Sequence, residues 1–158
     1  MTEDEIVAFT GALPGAAVVT AGEGTGAPEA AWGDSFFFYD PDGMPEARRL
    51  PFATVVVKDY EGFDTSSDLN RPGVFRLNVA VGRERFEAEL GYAPAEHAGR
   101  AAGIDHAVLD EVIPHPVYAA QGWLSIVCPG PRTDEAARAL IAHAHRRAAD
   151  RHRGPERD

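Results

Sequence analysis

The sequence predicts an α+β domain of two layers: a mostly antiparallel sheet of about five strands with helices packed on one face. Two observations carry this. Short runs of β-branched and aromatic residues recur with turn residues between them, as sequential strands do. The order of elements is helix, four strands, two helices, strand, helix. One domain is expected over residues 1–150, with 151–158 a frayed C-terminal tail, since 158 residues suit a single core.

The first helix starts at Thr2, whose hydroxyl can cap it with Glu5 three residues on, and Pro14-Gly15 ends it. AAVVTAG (16–22) is a strand, GEGTGAP a turn, and WGDSFFFYD (32–40) a strand whose aromatic run implies burial on both faces. FATVVVKD (52–59) is a strongly β-branched strand, and GVFRLNVAVG (73–82) is the next. ERFEAELG is a helix closed by Gly91, PAEHAGRAAG a second short one, and HAVLDEVIPHP fits either type. QGWLSIVCP (121–129) is the last strand. Thr133 caps a final helix whose Ala137, Leu140, Ile141, Ala144 and Ala148 form a stripe at helical spacing.

A formal net charge of −10 repels phosphate backbones, so nucleic-acid binding is disfavoured. It would have to rest on one helix edge, Arg138, Arg146, Arg147, Arg151 and Arg153. One cysteine, Cys128, excludes an internal disulfide and fits a reducing cytoplasm. The acidic start MTEDEIVAF is unlike a secretory signal, and no apolar run reaches membrane-spanning length, so no membrane partner is expected.

Strand alternation brings out one candidate region. Phe75, Leu77, Val79 and Val81 share a face that suits the helices, which leaves Arg76 and Asn78 on the other. Thr54, Val56 and Lys58 share a face of the preceding strand. A hairpin between the two strands would gather Lys58, Arg76 and Asn78 on the sheet side away from the helices. Trp123 and Ser125 also share a face of their own strand, which alternation alone assigns to neither side of the sheet. Two cations, an amide and aromatic rings suit a polar or anionic small molecule. The long loop between these strands, DYEGFDTSSDLNRP, fits such a site. It equally fits a structural loop in which Asp59, Asp64 and Asp68 pair with Lys58, Arg71 and Arg76.

Asp34, beside Trp32 in an apolar strand, is either a general acid or base with a raised pKa or a partner of Arg76 or Lys58. His115 and Tyr118 precede the last strand, where His115 is either a proton carrier or part of a stiff Pro-His-Pro turn. No metal is expected: His143 and His145 lie two apart on a helix and diverge, and Asp64 and Asp68 lack calcium-loop spacing. Cys128 has no activating base nearby in sequence, and GEGTG lacks the Lys-Ser/Thr of a phosphate loop. No cofactor is expected.

The stretches WGDSFFFYDPDG, PFATVVVKDYEGFDTSSDLNRPGVFRLNVAVGRERFEAELG and HPVYAAQGWLSIVCPG resemble an actinobacterial domain-of-unknown-function family across roughly residues 3–150. More distantly, the order of elements, with GWLSI before the last helix, is similar to the YjbR/MmcQ-like domains. The resemblance implies a sheet-plus-helices fold and carries over no residue roles, since the family has no settled activity. YjbR/MmcQ-like domains are described as resembling DNA-binding folds, and some lie in antibiotic gene clusters.

The function expected is therefore a cytoplasmic small-molecule binder, either a cofactor-independent enzyme or a resistance-type binding protein of specialised metabolism. Lys58, Arg76 and Asn78 would hold a polar group, Trp32, Tyr118 and Trp123 would line the site, and Asp34 or His115 would move a proton. The alternative is a module without catalysis that binds a partner or forms a homodimer.

Overall fold

The computed structural model describes residues 1–48 and 50–153. The elements are α1 (Glu3–Gly11), β1 (Ala16–Thr20), β2 (Ser35–Tyr39), β3 (Ala53–Val56), β4 (Arg76–Ala80), α2 (Gly82–Leu90), β5 (Val112–Pro114), β6 (Trp123–Val127) and α3 (Asp134–Arg153). Pairing is antiparallel throughout one sheet of order β1-β2-β3-β4-β6-β5. The α+β class holds, with six strands instead of about five. The extra one, β5, comes from the stretch that fitted either type; three residues ending in Pro114 are too few to show a period. PAEHAGRAAG forms two 3-10 turns, Pro94–Gly99 and Ala101–Gly103. The expected tail is helical as far as Arg153, and residues 154–158 lie outside the described residues.

Local chemistry explains the boundaries. Thr2 Oγ1 accepts the Glu5 amide proton at 3.1 Å and Glu5 Oε1 accepts that of Thr2 at 2.9 Å, completing the capping box. Gly91 ends α2 in the left-handed region at φ 82°, where a side chain would be strained. Thr133, immediately before α3, donates its hydroxyl proton to Asp110 Oδ1 at 2.6 Å.

Alternation divides β3 and β4 as predicted, and β6 follows the same division. Ala53, Val55, Leu77, Val79, Leu124 and Ile126 belong to one core with Ile6 of α1, Phe86 of α2, and Leu140 and Ile141 of α3. Fully burying each such Leu or Ile contributes about 1.5–3 kcal/mol. The opposite face is not bare. Val56, Ile113 and Val127 form a second, smaller cluster there with Leu69 of the loop between β3 and β4.

That loop is held by its own side chains. Asp59 Oδ1 accepts the Leu69 amide proton at 2.8 Å, and Asn70 Oδ1 accepts that of Asp59 at 3.1 Å. Arg71 Nη2 donates to the carbonyls of Ser67 at 2.9 Å and Ala107 at 3.2 Å, tying the loop to the segment before β5.

Candidate functional site

The register of three strands builds a polar floor. Arg76 on β4 stands opposite Val56 and Val127, and Asn78 opposite Thr54 and Ser125, all on the face turned from the main core. Arg76 Nε donates to Asn78 Oδ1 at 2.7 Å; Nη1 donates to Asp64 Oδ1 at 3.1 Å and Ser67 Oγ at 3.0 Å; Nη2 donates to Asp64 Oδ2 at 2.6 Å. Asn78 Nδ2 donates to Thr54 Oγ1 at 3.0 Å, and Ser125 Oγ donates to Asn78 Oδ1 at 2.7 Å. Arg76 is 1% exposed, and a charge so buried is tolerated because a bidentate carboxylate and two neutral acceptors surround it.

Over this floor lies a cavity of about 460 Å³, mostly apolar. The loop supplies Tyr60 and Phe63 to its wall, and the segment from β5 into β6 supplies His115, Tyr118 and Trp123. The rings form a connected side. His115 and Tyr118 are 5.0 Å apart between centroids, Phe63 and Tyr118 6.2 Å, and Tyr118 and Trp123 6.4 Å. Leu50, Phe63 and Tyr118, at 76%, 57% and 42% exposed, bring large apolar side chains to the surface around it.

The structure gathers five of the eight sequence-predicted residues, Arg76, Asn78, His115, Tyr118 and Trp123, at this cavity, and leaves three outside its lining, Trp32, Asp34 and Lys58. Lys58 departs because β3 stops at Val56, so the alternation that would have aligned it with Arg76 ends two residues early. Its ammonium donates to the Trp32 carbonyl instead. The Trp32 indole donates to the Ala27 carbonyl at 3.2 Å within its own turn. Asp34 is fully buried beside Tyr60. Its Oδ2 accepts the Tyr60 hydroxyl proton and its Oδ1 accepts the Val57 amide proton at 2.8 Å. Burial pushes the Asp34 carboxyl above the usual carboxylate range against the pull of these two donors, and burial with the Asp34 contact pushes the Tyr60 phenol well up. Asp34 thus holds Tyr60 and is not among the residues that line the cavity.

His115 lies at the cavity, and its ring also holds the turn in which it sits. Its Nδ1 accepts the amide protons of Val117 at 2.9 Å and Tyr118 at 3.0 Å, so the neutral ring carries its proton on Nε2. Burial, and then the Arg76 charge, lower its pKa to about 3. The ring is thus neutral near neutral pH, with Nε2–H as its donor.

Of the loop charges, Arg76 takes Asp64 and Arg71 takes Asp68 at 3.5 Å, while Asp59 serves the backbone. Sequence reasoning missed Tyr60, Phe63, Phe36 and Leu50 at the cavity. Extending the alternation to β2 would have found Phe36, which stands opposite Thr54. Tyr60, Phe63 and Leu50 lie in irregular segments, where no period exists to read. Among the described residues no three His, Cys, Asp or Glu side chains are grouped to hold a metal, and no helix is long and apolar enough to cross a membrane.

The family model of DUF6194, a family of unknown function, matches residues 1–157, and the chain belongs to that family. Comparison with curated proteins and with solved structures finds no match.

Proposed function

We propose that this member of the DUF6194 family binds a small apolar or aromatic molecule in the cavity over β3, β4 and β6. The observation that carries the reading is the pairing of a mostly apolar ring-lined cavity with a floor whose one cation is already matched by Asp64. Few convergent polar groups in an apolar cleft are the usual make-up of a small-molecule site. Lys58 is absent from the lining and Arg76 is neutralised, so the occupant of this cavity is apolar where the sequence suggested a polar or anionic molecule. Asn78 sits in the floor, and His115 Nε2–H supplies a hydrogen-bond donor.

The reading is of a binding protein more than an enzyme, because Asp34 stands outside the cavity lining and His115 stays neutral. A single cysteine fits a cytoplasmic setting, and the resemblance to an actinobacterial family, and distantly to YjbR/MmcQ-like domains, fits a resistance-type role in specialised metabolism. The test is a fluorescence titration with the neutral probe N-phenyl-1-naphthylamine. The wild type is expected to bind it, and Phe63→Ala with Tyr118→Ala to weaken it about tenfold, the equivalent of about 1.4 kcal/mol. No binding, or binding indifferent to both changes, overturns the reading.

A second reading, association with another copy, is favoured by the exposure of Leu50, Phe63 and Tyr118 on one rim. It predicts a dimer by sedimentation that Phe63→Ala dissociates.

A further inference from the structure

A second cavity, of about 380 Å³, adjoins the first, and Leu50, Pro51, Gln121 and Trp123 line both. Its character is different. Arg48, Arg147, Arg151 and His152 line it in a chain whose formal net charge is −10. Arg48 is matched by Asp40, Nε to Oδ2 at 2.8 Å, and His152 faces Asp42 at 3.7 Å. Arg147 and Arg151 form no ion pair with a described carboxylate.

The backbone has made room for Arg147. Gly82, at φ 84°, lies so close to it that a Cβ there would stand 2.5 Å from the guanidinium carbon. The Gly82 amide donates to the Gly122 carbonyl at 3.0 Å, which fixes this corner at the end of the sheet. Arg147 Nη1 donates to the Ala80 carbonyl at 2.9 Å, and Ala80 is the register partner of Trp123. Partial burial, and then the nearby Arg151 charge, pull the Arg147 pKa down. Two cations side by side with no described carboxylate on either favour a bound anion. The cation is thus held beside the strand partner of the tryptophan that walls both cavities, and neighbouring strands lie about 5 Å apart.

Building on the reading of the first cavity, we propose that the ligand is amphiphilic, its aromatic or aliphatic body in the apolar cavity and an anionic end, carboxylate, sulfonate or phosphate, across Trp123 on Arg147 and Arg151. The side chains divide the work. Arg147 gives a guanidinium that can grip two anion oxygens, Arg151 adds charge from the exposed side, and Gln121 and Trp123 line both cavities. The Arg76 charge, spent on Asp64, leaves the body of the ligand in neutral surroundings.

The test compares two probes of similar ring size, the sulfonate 1-anilinonaphthalene-8-sulfonate and the neutral N-phenyl-1-naphthylamine. Wild-type protein is expected to bind the sulfonate more tightly. Arg147→Met is expected to weaken it about tenfold, and Arg151→Ala about threefold, with the neutral probe changed less than twofold in both. Raising the salt from 50 to 500 mM should weaken only the sulfonate. Arg151 is exposed, so its variant supplies the comparison should Arg147→Met melt early. Equal loss of both probes, or no loss of the sulfonate in either variant, overturns the anionic site while the apolar cavity stands. Failure of both probes to bind wild type overturns both readings.

Discussion

Asp64 and Arg76 meet in two parallel contacts, Nη2 to Oδ2 at 2.6 Å and Nη1 to Oδ1 at 3.1 Å, with both side chains buried. One comes from the loop and the other from β4, so the pair fastens loop to sheet. Asp64→Asn leaves a buried guanidinium without its counter-charge and should cost about 3–5 kcal/mol. Replacing both, Asp64→Leu with Arg76→Met, should recover most of that loss. Urea midpoints at neutral pH decide it, and a loss below about 1 kcal/mol for Asp64→Asn would show that the pair does not fasten the loop.

Tyr60→Phe removes one of the two hydrogen bonds to the buried Asp34 carboxylate and should destabilise the protein at pH 7 by about 1–3 kcal/mol. The sign with pH follows from the raised carboxyl. Folded Asp34 holds its proton more tightly than the unfolded value of 3.8, so its contribution is greatest below that value and declines as pH climbs through the folded one. The Tyr60 hydrogen bond lowers the carboxyl, so the variant should move that decline to higher pH. Carboxyl carbon NMR of the single site measures it, and an unmoved midpoint would refute the contact.

His115, folded pKa about 3 against an ordinary 6.5, contributes stability that is complete above 6.5 and lost as pH falls toward 3. His115→Asn retains an acceptor for the Val117 and Tyr118 amides while removing the titration. It should flatten the fall in melting temperature between pH 6.5 and 4. In the wild type, the imidazole proton shifts of this residue should stay constant from pH 5 to 8; a midpoint near 6.5 would contradict its burial.

Two glycines separate backbone strain from crowding. Gly43, at φ 64°, has nothing within 4 Å of a Cβ, while Gly82, at φ 84°, has the Arg147 guanidinium at 2.5 Å. Gly43→Ala should cost about 1–2 kcal/mol, the left-handed penalty alone. Gly82→Ala should cost more than that and weaken sulfonate binding as Arg147→Met does. Equal costs with binding intact would mean that the guanidinium moves aside freely.

Legibility followed the period. Where strands run regularly, alternation placed Arg76 and Asn78 on the right face, because a pleated chain permits only two side-chain directions. It could not say which face Ser125 takes, and the pairing of Asn78 with Thr54 and Ser125 is set by a register the sequence does not show. It failed at Lys58, since nothing in VVVKD marks Val56 as the last paired residue. Asp64 could be named among several partners of Arg76 but not chosen, because loop geometry decides which carboxylate arrives. Tyr60, Phe63 and Leu50 reach the cavity from segments without a repeat, so only tertiary packing reveals them. Arg147 was read as one charge on a helix edge; its place beside Gly82 depends on a contact between residues far apart in sequence.

β4 joins two kinds of pairing. Its partner β3 precedes it through one loop, whereas β6 returns across 47 residues to set Ser125 against Asn78. Closing the longer loop costs more entropy, so β6 is expected to pair after β3. It then meets a test of fit. A slip of one residue would turn Ser125 into the main core and bring Leu124 or Ile126 against Asn78, leaving Asn78 Oδ1 without the Ser125 hydroxyl. The polar residues under the cavity therefore act as a proofreading mark for strand registration: the site can be assembled only by a chain that has already aligned correctly.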